Sequence, residues 1–368
     1  MRIIINQPRA SYFIGGAEMI SFEHAINFFE QGYETYYFTI SPRSIGLEYS
    51  PQFKNFYNNY SDKIKIIEIE QDKKIKYIYD IQPGEDRCRW NIESIFYNQL
   101  LYEYILRQNI NYDIIFSYYN LDAVFFPRNL IKKNVLYLCG VPKQQNDFQG
   151  SFLSKYDIVI AISEEVKQSW AKYYHRDMRV VSTGVNFSRF SLKKIEKNNQ
   201  KNITLLYIGR LISRKNVDKI IYAYDILRKE YDLRLIIVGD GPDRKRLESI
   251  STNVEFKGAV ENVETFYEQA DIFVSPSEYG EGLQGTILEA MSCGLTVVAT
   301  NTDINKYLLS DSRGIVVIPT VESITEGIKK AITCDRIKNS KKIRDFILKN
   351  YSWEKKVKEI LKIINDEF

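Results

Sequence analysis

Short apolar runs rich in β-branched residues recur along the chain, separated by longer stretches in which apolar residues return every three to four positions. The first pattern predicts strands and the second predicts helices with one buried stripe. In the first half the runs predict strands at Arg2–Asn6, Glu34–Ile40, Lys63–Ile69, Asp113–Tyr118, Asn134–Cys139, Asp157–Ser163 and Arg179–Gly184. In the second half they predict strands at Thr204–Gly209, Arg234–Gly239, Val254–Gly258, Ile272–Ser277, Thr296–Thr300 and Gly314–Pro319. Helical patterns fill most of the gaps, Asp218–Glu230 and Gly285–Ser292 among them. Strand alternating with helix implies parallel sheets joined by right-handed crossovers.

The pattern breaks once, at Ser191–Asn202, a polar, lysine-rich stretch that suits a linker, and a new strand starts directly after it. The expected organisation is an α/β chain of two Rossmann-like, doubly wound domains, residues 1–190 and 203–350, joined by 191–202. The last segment, 351–368, carries Val357, Ile360, Leu361, Ile363 and Ile364 at helical spacing and is expected to pack back on the first domain. A length of 368 residues with 44% hydrophobic content agrees with two cores rather than one.

Charge narrows the function classes only a little. Lys and Arg number 51 against 47 Asp and Glu, and a net charge of +4 on this length gives no reason to expect a nucleic-acid partner. Cys88, Cys139, Cys293 and Cys334 are far apart and form no metal-binding spacing, so free thiols in a reducing cytosol are expected. The start, MRIIINQP, reads as a first strand with no cleavable signal, and no apolar run reaches the ~20 residues that span a bilayer. A cytoplasmic protein is expected, with a peripheral contact at the inner face of the membrane as a further expectation. Basic clusters at Lys73-Lys74, Lys132-Lys133 and Lys338–Arg344 would serve such a contact, although solvated surface is their commoner meaning.

Three segments carry chemistry. In Glu278–Thr300, a strand runs into a glycine-rich loop with Glu281, Gly282 and Gly285, and the helix that follows carries Glu289. Glycines at a strand-to-helix turn let backbone amides approach an anion, and the helix amino end adds partial positive charge. A phosphate or diphosphate is the natural guest there. Glu281 could reach what is attached to it, and Glu289 could accept hydroxyls such as those of a ribose. The bland alternative is a helix entry with two solvated glutamates. In Tyr207–Ile221 a strand ends at Gly209, and Arg210 and Lys215 follow in the loop; they can neutralise a diphosphate or be plain surface cations. The third segment, Phe13–Met19, places paired glycines between a strand and a helix, a weak pattern by itself. Neither half contains G-x-G-x-x-G, so a nicotinamide or flavin reading is poor. The glycine pair of VGDGPDRKRL reads as a tight turn before a helix.

Together these residues resemble the retaining glycosyltransferases of family 4, whose two-domain fold is GT-B. GGAE at Gly15–Glu18, IAISEEVKQSW at Ile160–Trp170 and STGVNFSRF at Ser182–Phe190 are similar to segments of that family. GRLISRKN is similar to its "GRL-x-x-x-KG" motif, Glu281 and Glu289 to its Glu-x7-Glu pair, and YSWEKKV to its terminal helix. The resemblance covers nearly the whole chain, and the order and spacing of the segments make it specific.

The resemblance implies two domains facing a cleft and a metal-independent enzyme without cofactor. The donor would be a nucleotide-sugar, a UDP-sugar first and GDP-mannose second. The acceptor would be a sugar, a glycan or a lipid-linked sugar, chosen by the first domain, in cell-surface polysaccharide or glycolipid synthesis. Arg210 and Lys215 would hold the diphosphate and stabilise the leaving group, and Glu281 would contact the donor sugar. Glu289 would bind the ribose, amides around Gly282, Leu283, Gln284 and Gly285 the phosphate, and Gly209 would belong to the same donor site. Val260, in the loop Phe256–Val260, would lie against the base, and Gly16 would face the donor from the other domain. The proton of the attacking hydroxyl would pass to a donor phosphate oxygen. The sequence departs from the family pattern at Cys139-Gly140, where many members carry a histidine, and at Gln284 and Thr183. His24 falls in a predicted helix and reads as structural, and His175 sits in a polar turn. Competing readings are a nucleotide-sugar epimerase or phosphorylase of the same fold, and a non-catalytic nucleotide-sugar-binding partner subunit.

Overall fold

The computed structural model describes residues 1–71, 87–119, 121–125, 127–142, 152–192, 202–278 and 283–366. Glu281, Gly282, Lys73-Lys74 and most of the expected linker lie outside the described residues. The chain divides into two compact units, Met1–Ser182 with Lys356–Phe368, and Thr183–Lys355.

The first unit is built on β1 (Arg2–Asn6), β2 (Glu34–Ile40), β3 (Lys65–Ile69), β4 (Tyr112–Ser117), β5 (Ile131–Leu138), β6 (Ile158–Ala161) and β7 (Arg179–Val180). Their order in the sheet is β3-β2-β1-β4-β5-β6-β7, with every neighbouring pair parallel. The winding reverses between β1 and β4, where crossovers leave to opposite sides and open a crevice at the strands' carboxyl ends. Helices on both faces explain why β1 is apolar on both sides, with Ile3, Ile4 and Ile5 wholly buried. On one face Ile4 and Ile115 share a core with Tyr97, Leu101 and Ile105 of the helix Arg87–Gln108.

The second unit repeats the plan with β8 (Ile203–Ile208), β9 (Leu233–Val238), β10 (Glu255–Gly258), β11 (Ile272–Ser275), β12 (Thr296–Thr300) and β13 (Gly314–Val317). The order is β10-β9-β8-β11-β12-β13, again parallel, and the winding reverses between β8 and β11. The helix Val217–Leu227 buries Val217, Ile220, Ile221, Tyr224 and Leu227, the i, i+3, i+4, i+7 stripe of a helix lying on a sheet.

The predicted strands all form, most within one or two residues of their expected bounds. The exception is Arg179–Gly184, which shortens to Arg179–Val180. Beyond it the chain leaves the sheet: Val185 N–H donates to Tyr351 O at 2.7 Å, and a Cβ on Gly184 would stand 2.7 Å from the backbone of Trp353. Gly184 is thus required by the close approach of the helix Trp353–Asp366. Farther along that helix, the apolar positions Val357, Ile360, Leu361, Ile363 and Ile364 are all buried, and Lys356–Phe368 clusters with the first unit. No helix among the described residues is long and apolar enough to cross a membrane.

Candidate active site

The predicted chemistry of the second unit gathers at the carboxyl ends of β8 and β11, where the winding reverses. β8 ends at Ile208, and the backbone of Gly209–Leu211 is then fixed by the loop after β9. Gly209 N–H donates to Val238 O at 3.0 Å, Leu211 N–H to Asp240 O at 2.9 Å, and Asp243 N–H to Leu211 O at 3.0 Å. The two loops lie so close that a Cβ on Gly239 would be 2.0 Å from Gly209 O, and one on Gly241 would be 2.4 Å from Leu211 O. Gly239 also has φ +132°, a conformation that other residues rarely adopt. The VGDG pair is therefore more than the plain turn expected. It is the bed on which the Arg210 loop lies.

Arg210 and Lys215 are half-buried on this loop. A single 3₁₀ turn, Ser213–Lys215, leads into Asn216 at φ +51°, in the left-handed region where asparagine is among the few tolerated substitutes for glycine. This accounts for Asn216 standing where the "KG" of the related motif has glycine. The side chain is also used: Asn216 Nδ2 donates to Pro276 O at 2.9 Å, and Glu278 N–H donates to Arg214 O at 2.9 Å. Both bonds clamp the cation-bearing loop onto the segment that follows β11.

That segment also orders the start of the helix Gly285–Ser292. Ser275 Oγ and Ser277 Oγ donate to Gln284 Oε1 at 2.8 and 3.4 Å, and Thr300 Oγ1 donates to Ser277 O at 2.6 Å. With its oxygen engaged, the Gln284 carboxamide can offer only N–H donors outward. Leu283 is buried beside it, and no side chain caps the first turn of the helix. A Cβ added to Gly285 would meet nothing closer than Glu289 Oε1 at 4.0 Å, so the approach to these amides is open on that side.

Glu289 lies one turn farther along. Tyr267 Oη donates to its Oε2 at 2.7 Å, which leaves Oε1 as an acceptor for a ligand hydroxyl. Burial raises the Glu289 pKa above the ordinary carboxyl value, and the Tyr267 hydroxyl and Arg189 pull against that rise. Tyr267 is held in turn by edge-on contact with Phe190 at 5.5 Å, and Arg189 pairs with Glu264 at 3.0 Å. The sequence reading missed Tyr267, Arg189 and Glu264, since nothing in the local pattern links them to a helix some 20 residues away. Val260 lies two residues past β10, tied in only through Gly258 O, which accepts Gly239 N–H at 2.8 Å. Gly209, Arg210, Lys215, Leu283, Gln284, Gly285 and Glu289 thus occupy one end of one sheet, whereas Gly16 belongs to the other unit.

In the first unit, Gly16 opens the helix Gly16–Glu30, and a Cβ there would meet nothing within 4 Å. His24 is buried, with Nδ1 2.7 Å from Tyr118 Oη, and burial lowers its pKa to about 3, which suits a neutral structural imidazole. Cys139, at the position of the absent histidine, has its thiol pKa pushed up by burial and remains a protonated thiol. Among the described residues no group of three His, Cys, Asp or Glu could hold a metal ion.

Comparison with known proteins agrees with this geometry. Residues 188–347 match the family described as Glycosyl transferases group 1. An uncharacterized glycosyltransferase of Methanocaldococcus jannaschii is 31% identical over 228 residues, covering 57% of this chain and 58% of its own. The alpha-monoglucosyldiacylglycerol synthase of Streptococcus pneumoniae is 31% identical over 182 residues, covering 44% of this chain and 41% of its own. The chain thus spans about half the length of the curated relatives it matches. Among solved structures, Anabaena HepE in complex with UDP and glucose superposes with a TM-score of 0.73 at 16% identity, covering 100% of both chains.

Proposed function

From the premise that this chain is a GT-B protein of the glycosyl transferases group 1, we propose that it moves a sugar from a nucleotide-sugar to a hydroxylated acceptor with retention at the anomeric carbon. The observation that carries this reading is the clamped loop after β8. It fixes Arg210 and Lys215 beside the segment that leads from β11 to the amino end of the helix Gly285–Ser292. Two fixed cations and a set of helix amides are matched to a diphosphate.

Breaking the sugar–phosphate bond builds negative charge on the diphosphate and positive charge on the ring. Arg210, Lys215 and the amides of Gln284 and Gly285 stabilise the departing diphosphate without needing to reorganise. Glu289 Oε1 accepts a ribose hydroxyl, and Glu281 contacts the donor sugar. The attacking hydroxyl gives its proton to a phosphate oxygen of the donor, so no protein base is required, and charge compensation comes from side chains rather than a metal ion. A UDP-sugar is the favoured donor: the HepE neighbour was solved with UDP and glucose. A GDP-mannose-dependent alpha-mannosyltransferase among the relatives keeps GDP-mannose second.

A thermal-shift panel of UDP- and GDP-sugars tests donor binding, because a ligand stabilises the state it binds. Product NMR then reads the anomeric configuration. Stabilisation by a UDP-sugar and an axial product from an axial donor are expected. Absence of any shift across the panel ends this reading. Binding without nucleotide release in the presence of acceptors indicates a non-catalytic partner, and release with inversion removes the retaining mechanism.

A further inference from the structure

Both sheets reverse their winding once, and ligands of open parallel sheets bind at such points. In the second unit that place carries the donor site proposed above. In the first unit the corresponding place, at the carboxyl ends of β1 and β4, is filled with buried polar side chains. Asn6 closes β1 and lies opposite Ser117, the last residue of β4. Side-chain alternation puts both on the face of Ile4 and Ile115, toward the helix Arg87–Gln108. The buried face of that helix changes character along its length. Its later turns present Leu101 and Ile105, whereas Glu93, Ser94 and Asn98, nearer its start, are just as buried. A helix that only packs against a core has no use for such a face.

These groups form one chain. Asn6 Nδ2 donates to Asn98 Oδ1 at 3.0 Å, and Asn98 Nδ2 donates to Asp122 Oδ1 at 2.9 Å. Four buried atoms in this cluster have no partner among the described residues: Asn6 Oδ1, Tyr97 Oη, Ser117 Oγ and Asp122 Oδ2. Native interiors seldom leave such atoms unpaired, each costing about 1–3 kcal/mol. Around them stand Arg9 and the buried carboxylates Glu18 and Glu93. Tyr119 stacks under the Arg9 guanidinium at 3.9 Å and donates to Glu18 Oε1, and Tyr12 donates to Glu93.

We propose that this cluster is the acceptor subsite and that it recognises a neutral, hydroxyl-rich ring, a sugar or polyol, through Asp122, Asn6, Ser117 and Tyr97. The inference rests on the transferase reading above and sharpens it by naming the acceptor chemistry. Acceptors and donors alternate in the cluster, as a ring whose hydroxyls both give and take hydrogen bonds requires. One arginine among three carboxyl groups makes the site repel a phosphate or diphosphate. A lipid-linked acceptor is therefore bound here by its sugar and not by its phosphate.

The test is ligand-observed NMR on the full chain with the methyl α-glycosides of glucose, galactose, mannose and N-acetylglucosamine, with inorganic pyrophosphate as the anionic control. UDP-glucose affinity is measured on the same samples. At least one glycoside binds, and Asp122→Asn weakens it about tenfold, Ser117→Ala about threefold, with UDP-glucose affinity unchanged. If Asp122→Asn melts early, Ser117→Ala and Tyr97→Phe, which remove only a hydroxyl, decide alone. The assignment is overturned if no glycoside binds, if binding is equal in all variants, or if pyrophosphate is the probe whose binding these substitutions weaken. Loss of UDP-glucose binding by the wild-type protein is a separate result, and it strikes the donor reading instead.

Discussion

The two winding-reversal points of this molecule are built from different materials. At β8 and β11 the surroundings are made largely of backbone: loop carbonyls and amides bond one another, glycines allow the approach, and one asparagine side chain closes the clamp. At β1 and β4 they are made of side chains: Asn6, Asn98, Asp122, Tyr119 and Glu18 reach one another across the interior. A backbone-built site suits a ligand whose charge is the same in every donor, since amides and fixed cations read a diphosphate whatever sugar it carries. A side-chain site suits the part that must be discriminated, because each group can be exchanged without moving the chain.

Substitutions that should separate the two designs follow, from the largest effect to the smallest. Arg210→Ala and Lys215→Ala should each lower turnover by about 10²–10³, the range for removing one preorganised charge partner of a transition state, with little change in melting temperature. Steady-state rates beside thermal melts check this, and full activity in either variant breaks the donor half of the comparison. Gly239→Ala should destabilise by about 2–4 kcal/mol, because its Cβ meets Gly209 O at 2.0 Å in a left-handed conformation. Gly16→Ala should leave stability nearly unchanged, since nothing lies within 4 Å of the added carbon. Denaturant melts of the pair sharpen the claim that the second unit is the one constrained by backbone approach.

The third effect is one of pH. Burial raises the Asp122 pKa to about 7, against the pull of Asn98 and Arg9. The group is protonated in the folded state and ionised in the unfolded chain between about pH 4 and 7. Its contribution to stability is therefore present at low pH and lost as pH rises through that window. Arg9, Tyr97, Glu93 and Glu18 also face this region and set the baseline. Wild-type protein should lose on the order of 1–4 kcal/mol from pH 4 to pH 7 through this group. Asp122→Asn should flatten that slope in urea melts taken at several pH values; an unchanged slope removes Asp122 as the titrating group. The smallest effect is expected for Tyr267→Phe, which deletes the hydroxyl bound to Glu289 Oε2 and should weaken nucleotide binding by about threefold to tenfold. Because Glu289 is raised by burial, nucleotide affinity should also fall as pH drops toward that raised pKa, and Glu289→Gln should abolish this dependence.

The contrast also explains what the sequence could disclose. Strands β1, β2 and β12 fall on their expected bounds because a buried parallel strand is an unbroken apolar run. Arg210, Lys215 and Gly285 were legible because they sit at fixed offsets from strand ends and glycines. Asn216 could be matched to a glycine position but not understood until its φ was known. Tyr267 and Glu289 are 22 residues apart, Asn6 and Asn98 are 92, and Glu18 and Tyr119 are 101. No local period records such pairs, and in the sequence they are single polar residues in otherwise apolar elements. The one available hint was Glu93, Ser94 and Asn98 on the face of a helix whose other positions there are apolar.

The central claim is that the cations and amides at the carboxyl ends of β8 and β11 grip the diphosphate of a nucleotide. Calorimetric titration of UDP and GDP, each against its own nucleoside, tests it most directly on the wild-type protein and on the Arg210→Ala, Lys215→Ala double variant. One diphosphate should bind at least about a hundredfold tighter than its nucleoside, an advantage of roughly 2.7 kcal/mol, and the double variant should lose most of it. A double variant that keeps the whole advantage, or a wild-type protein that binds nucleoside and diphosphate alike, contradicts the account.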